Sequence, residues 1–113
     1  MQDLKARTKR FALDVIRFCR SLPQTDEFII VRRQVLRSAT SIAANYRAAL
    51  RAKSKADFVH KLGTVEEEAD ETLFWLEVLS ELSPPTNPEL NRLLRESDEL
   101  VAIAVASRKT ART

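Results

Sequence analysis

The sequence predicts an all-α fold, an antiparallel up-down-up-down four-helix bundle occupying residues 1–113 as a single domain. Three observations lead there. The chain holds one Gly in 113 residues, and a fold rich in hairpins and bulges needs more backbone freedom than that. Its four prolines fall only at helix boundaries, and Pro inside a helix costs about 3 kcal/mol. Between them, apolar residues recur at spacings of three and four, the period of a helix with one buried face. With 44% hydrophobic residues and only short polar stretches, the chain is not disordered.

The first helix is expected over residues 3–22, with the stripe Leu4, Thr8, Phe11, Val15, Phe18 and Leu22, closed by Pro23. The second is expected over 26–51, capped by Thr25 or Asp26. Its stripe is Phe28, Val31, Val35, Ala39, Ile42, Tyr46 and Ala49. The third is expected over 55–82, opened by Ser54 with Asp57 three residues on, like a capping box. Phe58, Leu62, Val65, Ala69, Leu73, Leu76 and Leu79 face inward. Pro84 and Pro85 end it. The fourth is expected over 88–108, with Asn87 as cap and Pro88 at its first position. Leu90, Leu94, Val101 and Val105 face inward, with Leu93 and Ala104 beside them, and the basic end from Ser107 to Thr113 frays. Short links between such rods make sequential neighbours antiparallel. Gly63, inside the third helix, marks a close helix–helix approach.

Charge is unevenly spread. Residues 1–55 carry 13 Lys or Arg against four acids, a net +9, and residues 56–113 carry six against 12, a net −6. Such asymmetry fits a half that faces nucleic acid. It equally fits two halves that pair with each other or with a neighbouring copy. Arg10, Arg17 and Arg20 on the first helix, with Arg33, Arg37, Arg47 and Arg51 on the second, lie away from the core stripes. They are the candidate nucleic-acid contacts, and binding through them would be phosphate-directed and salt-sensitive.

The third helix has apolar residues to spare. Phe74, Trp75, Val78 and Leu82 fall on its flank and back. A patch of that kind is either a self-association surface or a sign that the helix is buried on more than one side. Glu67, Asp70 and Glu71 are candidate partners for arginines of the second helix, setting register more than stability.

Catalytic and metal chemistry find little support. Asp57 and His60 have the spacing of a di-iron helix motif, but the chain has one His and such a site needs two. Cys19, the one cysteine, sits beside Val15 and Phe18 as a buried thiol and cannot form an intrachain disulfide. One Gly cannot build a phosphate-cradling loop. The acidic run Glu66 to Glu71 spreads around its helix. The longest apolar runs, Phe28 to Val31 and Leu100 to Ala106, fall far short of the ~20 residues of a membrane span. A cytoplasmic protein with no enzymatic activity, cofactor, metal or small-molecule substrate is expected.

Three stretches carry a resemblance. They are Arg33-Gln34-Val35-Leu36-Arg37-Ser38-Ala39-Thr40-Ser41-Ile42-Ala43-Ala44-Asn45-Tyr46-Arg47-Ala48, then Ser54-Lys55-Ala56-Asp57-Phe58-Val59-His60-Lys61-Leu62, then Glu67-Glu68-Ala69-Asp70-Glu71-Thr72-Leu73-Phe74-Trp75-Leu76-Glu77-Val78-Leu79. Together they resemble the bacterial 23S rRNA intervening-sequence family of four-helix-bundle proteins, in order over about residues 5–105. The resemblance implies an antiparallel bundle assembled into a ring-like homo-oligomer, a pentamer, with no enzymatic activity attached. Some members are encoded inside insertions within 23S rRNA genes and others stand alone. A related group of accessory proteins for diversity-generating retroelements forms basic rings that bind nucleic acid. One departure stands out: members often carry an acid two residues after the Asn-Tyr pair, where this chain has Ala48. Any subunit or ligand contact made by that acid is missing here.

Overall fold

The computed structural model describes residues 3–84 and 87–113. Four helices run α1 (Leu4–Cys19), α2 (Asp26–Ala49), α3 (Lys55–Leu82) and α4 (Pro88–Arg112). Pro85, read as part of the α3–α4 boundary, lies outside the described residues. The 28 residues of α3 make a rod of about 42 Å at 1.5 Å per residue, which matches the 44 Å long axis of the molecule.

Each start has a local cause. The Asp3, Ser54 and Asn87 side chains accept from the amides of Ala6, Asp57 and Leu90 at 3.0–3.1 Å, which satisfies one orphan donor apiece. Thr25 is the cap residue of α2 without a side-chain cap bond; its hydroxyl donates instead to Glu27 at 2.9 Å.

The ends depart from the sequence reading in three places. The first helix stops at Cys19, not Leu22, because the chain tightens into i→i+3 bonds from the amides of Arg20, Ser21 and Leu22. The second stops at Ala49, not Arg51, by the same tightening at Arg51 and Ala52. The fourth does not fray after residue 108 but continues to Arg112. Tertiary contacts hold its last turns: Arg108 lies against Gly63 and faces Glu66 at 3.6 Å, and the Lys55 ammonium donates to the Thr113 carbonyl at 3.2 Å.

The helices form a square in which each touches two neighbours and neither diagonal pair packs among the described residues. Adjacent helices are antiparallel: on α1 and α4, Arg7 meets Glu96 while Asp14 meets Arg92. The core is one cluster built from Phe11, Val15, Val35, Ile42, Leu76, Leu79, Leu93 and their neighbours. Its α4 stripe is Leu90, Leu93, Ser97, Leu100 and Ala104. Val105, read as inward, is exposed; the polar Ser97 interrupts the apolar period and hides the true stripe. Phe58 and Leu73 of α3 are half-buried rather than core. Within the core the Thr72 hydroxyl of α3 donates to the Ser38 hydroxyl of α2 at 2.8 Å, with both residues fully buried.

Gly63 has a different neighbour from the one expected. The nearest atoms of another helix that a Cβ built there would meet are those of the Arg108 guanidinium, with Nε at 3.3 Å. The missing side chain makes a notch for an arginine.

Candidate functional site

The seam between α1 and α2 carries two hollows on its outer surface. One holds about 430 Å³ and is lined by Lys5, Lys9, Thr40, Ala43, Ala44 and Arg47. The other holds about 320 Å³ and is lined by Ile16, Cys19, Arg20, Gln24, Arg32 and Leu36. Helical spacing produces this track. Lys5, Lys9, Ile16 and Arg20 fall on the flank of α1 that turns toward α2, and Arg32, Leu36, Ala43 and Arg47 on the facing flank of α2. The small side chains of Ala43 and Ala44 leave the floor open.

Neither hollow has a carboxylate in its lining. Arg32 is held in place: its guanidinium donates to the carbonyls of Cys19, Leu22 and Pro23 at 3.3, 3.0 and 2.9 Å. It thereby closes the C-terminal end of α1, where a cation also favours the helix dipole. Lys5, Lys9, Arg20 and Arg47 make no ion pair among the described residues. The Cys19 thiol below them is 3% exposed, and burial pushes its pKa up to about 11. It therefore adds no negative charge to the hollow at neutral pH.

The seven arginines singled out in the sequence are not brought to one place. Arg20 and Arg47 line the two hollows. Arg10 lines a separate cleft of about 510 Å³ between α1 and α4, among Arg7, Arg92, Asp3, Asp14 and Glu96. Arg17 is exposed and sits 3.5 Å from Asp14. Arg33 and Arg51 are exposed and unpaired among the described residues. Arg37 is occupied within its own chain by Glu68 at 3.2 Å and by Glu71. That pairing holds the Glu71 carboxyl below the usual carboxylate range and raises the guanidinium. Lys5, Lys9 and Arg32 were missed. The signal for the lysines was their i,i+4 spacing on one flank, which a survey confined to arginines passes over.

The charge asymmetry of the sequence thus resolves partly inside the molecule. Arg7 of α1 reaches Glu96 and Glu99 of α4 at 2.7 and 3.0 Å, and Arg92 of α4 reaches Asp14 at 3.1 Å. These pairs bridge the α1–α4 seam, the thinnest of the four. Glu67 and Asp70, read as partners of the second helix, are exposed and unpaired among the described residues.

The extra apolar face of α3 divides in two. Phe74 and Leu82 stand 53% and 46% exposed. Trp75 and Val78 are half-buried against the chain's own core. The Trp75 indole donates to Glu71 at 3.1 Å, and its ring meets Phe74 edge-on at 4.9 Å. Ile30 of α2 is also 59% exposed.

Among the described residues no group of three His, Cys, Asp or Glu is placed to hold a metal ion, and His60 is exposed. Among them also, no helix is long and apolar enough to cross a membrane.

The model of a family described as 23S rRNA-intervening sequence protein matches residues 2–106. A solved structure from Bacteroides thetaiotaomicron, described as a protein with unknown function from the S23 ribosomal protein family, is 32% identical with a TM-score of 0.83. The match covers 93% of this chain and 97% of that one. No curated protein matches the chain.

Proposed function

The chain belongs to the 23S rRNA-intervening sequence protein family, and from that premise we propose a cytoplasmic, non-enzymatic, self-associating bundle that holds nucleic acid by its phosphates along the α1–α2 seam. One observation carries the reading. Both hollows of that seam are lined by cations and by no carboxylate, whereas the cations bridging α2–α3 and α1–α4 are already matched by acids. Unmatched cations in a groove attract a polyanion by releasing its counterions, with affinity that falls steeply as salt rises. Such contacts position a strand and read little sequence.

Self-association is supported by the exposed Phe74 and Leu82 and by the unpaired acids Glu67 and Asp70 beside them on α3. A ring, the pentamer implied by the family resemblance, would repeat the basic seam around its axis and strengthen its field. A second reading is a protein-only scaffold. The Arg37–Glu71 pair favours it, because it shows the basic face of α2 and the acidic face of α3 to be complementary. In that reading Arg33 and Arg51 meet acids of the next copy.

The test is binding of a labelled single-stranded RNA of mixed sequence, followed by anisotropy from about 50 to about 200 mM salt. The native protein should bind, and Lys9→Ala/Arg47→Ala should lower the slope of log K against log salt by about 1.4, two contacts at about 0.7 each. No binding by the native protein at the lowest salt, or an unchanged slope in the variant, overturns the phosphate track and leaves the scaffold.

A further inference from the structure

The two hollows of the seam differ in chemistry. The one at Lys5, Lys9 and Arg47 has only small residues besides its cations. The one at the α1–α2 corner sets two half-buried aliphatic side chains, Ile16 and Leu36, beside one unpaired guanidinium, Arg20, and one exposed amide, Gln24. Its volume of about 320 Å³ lies at the lower end of the range for small-ligand pockets, roughly 300–1,000 Å³.

We propose that this corner hollow seats one nucleotide of a single strand: the base lies against Ile16 and Leu36, its edge meets the Gln24 amide, and its phosphate meets Arg20. Each group suits its role. A nucleobase has two apolar faces and a polar rim, and the hollow has an apolar wall and one group that both donates and accepts. Arg20 is free to take a phosphate oxygen in its planar fork. Arg32 cannot do so with the donors it spends on three carbonyls; it keeps the turn that carries Gln24 close to α2. The Cys19 floor is neutral. An open base edge is available in a single strand and hidden in a duplex. The seat rests on the phosphate-track reading and adds to it a preference for bases that a row of cations does not have.

The experiment compares a labelled RNA hexamer with an abasic sugar–phosphate strand of equal length and charge, using the full chain. The base-bearing strand should bind about tenfold more tightly. Gln24→Ala should change the order of affinity among oligo-A, oligo-U and oligo-C while leaving the salt slope unaltered. Arg20→Ala should lower that slope by about 0.7. Both residues are exposed, so folding is preserved. A mononucleotide such as AMP or UMP should displace the hexamer only at far higher concentration. Displacement at equal concentration would make a free nucleotide the occupant and overturn the strand assignment. Equal binding of the abasic strand, with the Lys9 and Arg47 dependence retained, overturns the seat and leaves the track. Failure of both strands to bind removes the track and the seat together.

Discussion

Replacing Gly63 by Ala is expected to stabilise the chain by about 0.5 kcal/mol. Gly63 is a buried residue inside the 28-residue helix α3. Ala exceeds Gly by about 1 kcal/mol in a helix interior, largely because Gly loses more backbone freedom on folding. Against this stands one tight contact. The new Cβ would lie 3.3, 3.5 and 3.7 Å from Nε, Cζ and Nη2 of Arg108 and would press on no backbone of another helix. A long side chain yields a few tenths of an ångström readily. The shift loosens an ion pair with Glu66 that is already 3.6 Å long and partly exposed, a loss of at most about 0.5 kcal/mol. Urea unfolding should show a higher midpoint with an unchanged slope, and Tm should rise by about 2 °C. Repeating the substitution in an Arg108→Ala background should release the full gain of about 1 kcal/mol. A loss of more than about 1 kcal/mol in either background would refute the reasoning, because it would mean that helix backbone occupies the space assigned here to a guanidinium.

Other expectations follow from the same contacts. Thr72→Val should cost about 1–2 kcal/mol by leaving the buried Ser38 hydroxyl poorly matched, while Ser38→Ala/Thr72→Val should come close to neutral; additive losses in urea melts would show that the bond is incidental. Acid should weaken the fold through Glu96, whose carboxyl Arg7 holds below its ordinary 4.5. A carboxylate depressed in the folded state adds stability that is fully present above about pH 4.5 and is lost as pH falls through the lower folded value. Glu96→Gln should therefore flatten the fall of the urea midpoint below pH 4.5, and an unaltered profile would assign the acid sensitivity elsewhere. Phe74→Asp/Leu82→Asp should change stability by less than about 0.5 kcal/mol per site, since both side chains are exposed, yet lower the mass measured by light scattering; an unchanged mass would move the self-association surface off this face.

The elements of the fold were legible because local signals agreed. The caps Ser54 and Asn87, the proline positions and the apolar stripes of α1 to α3 point to the same four helices, with the ends of α1 and α2 two or three residues shorter than the sequence suggests. The α4 stripe was harder to read, since Ser97 is fully buried where the period calls for an apolar residue. The last turn of α4 escaped notice because its support comes from Gly63, Glu66 and Lys55, residues far away in sequence. The candidate site was legible in kind but not in place. A basic first half was visible in composition, whereas the position of each cation depends on which flank meets which neighbour. Arg37 reads like Arg47 on a helical wheel, yet one is matched by two acids and the other lines an open groove. Lys5 and Lys9 gain meaning only once α2 is set beside α1.

The square of helices has one edge unlike the others. Where α2 meets α3 and α3 meets α4, contact is broad; where α1 meets α4 it is slight, and Arg7, Asp14, Arg92 and Glu96 span an open cleft there. Dissolved ions weaken charge pairs and leave apolar burial intact. Brine therefore works hardest on the α1–α4 side of this molecule, where apolar contact is slight and ion pairs cross the seam, like a book whose spine is the Arg32-clasped corner and whose fore-edge is fastened largely by charge.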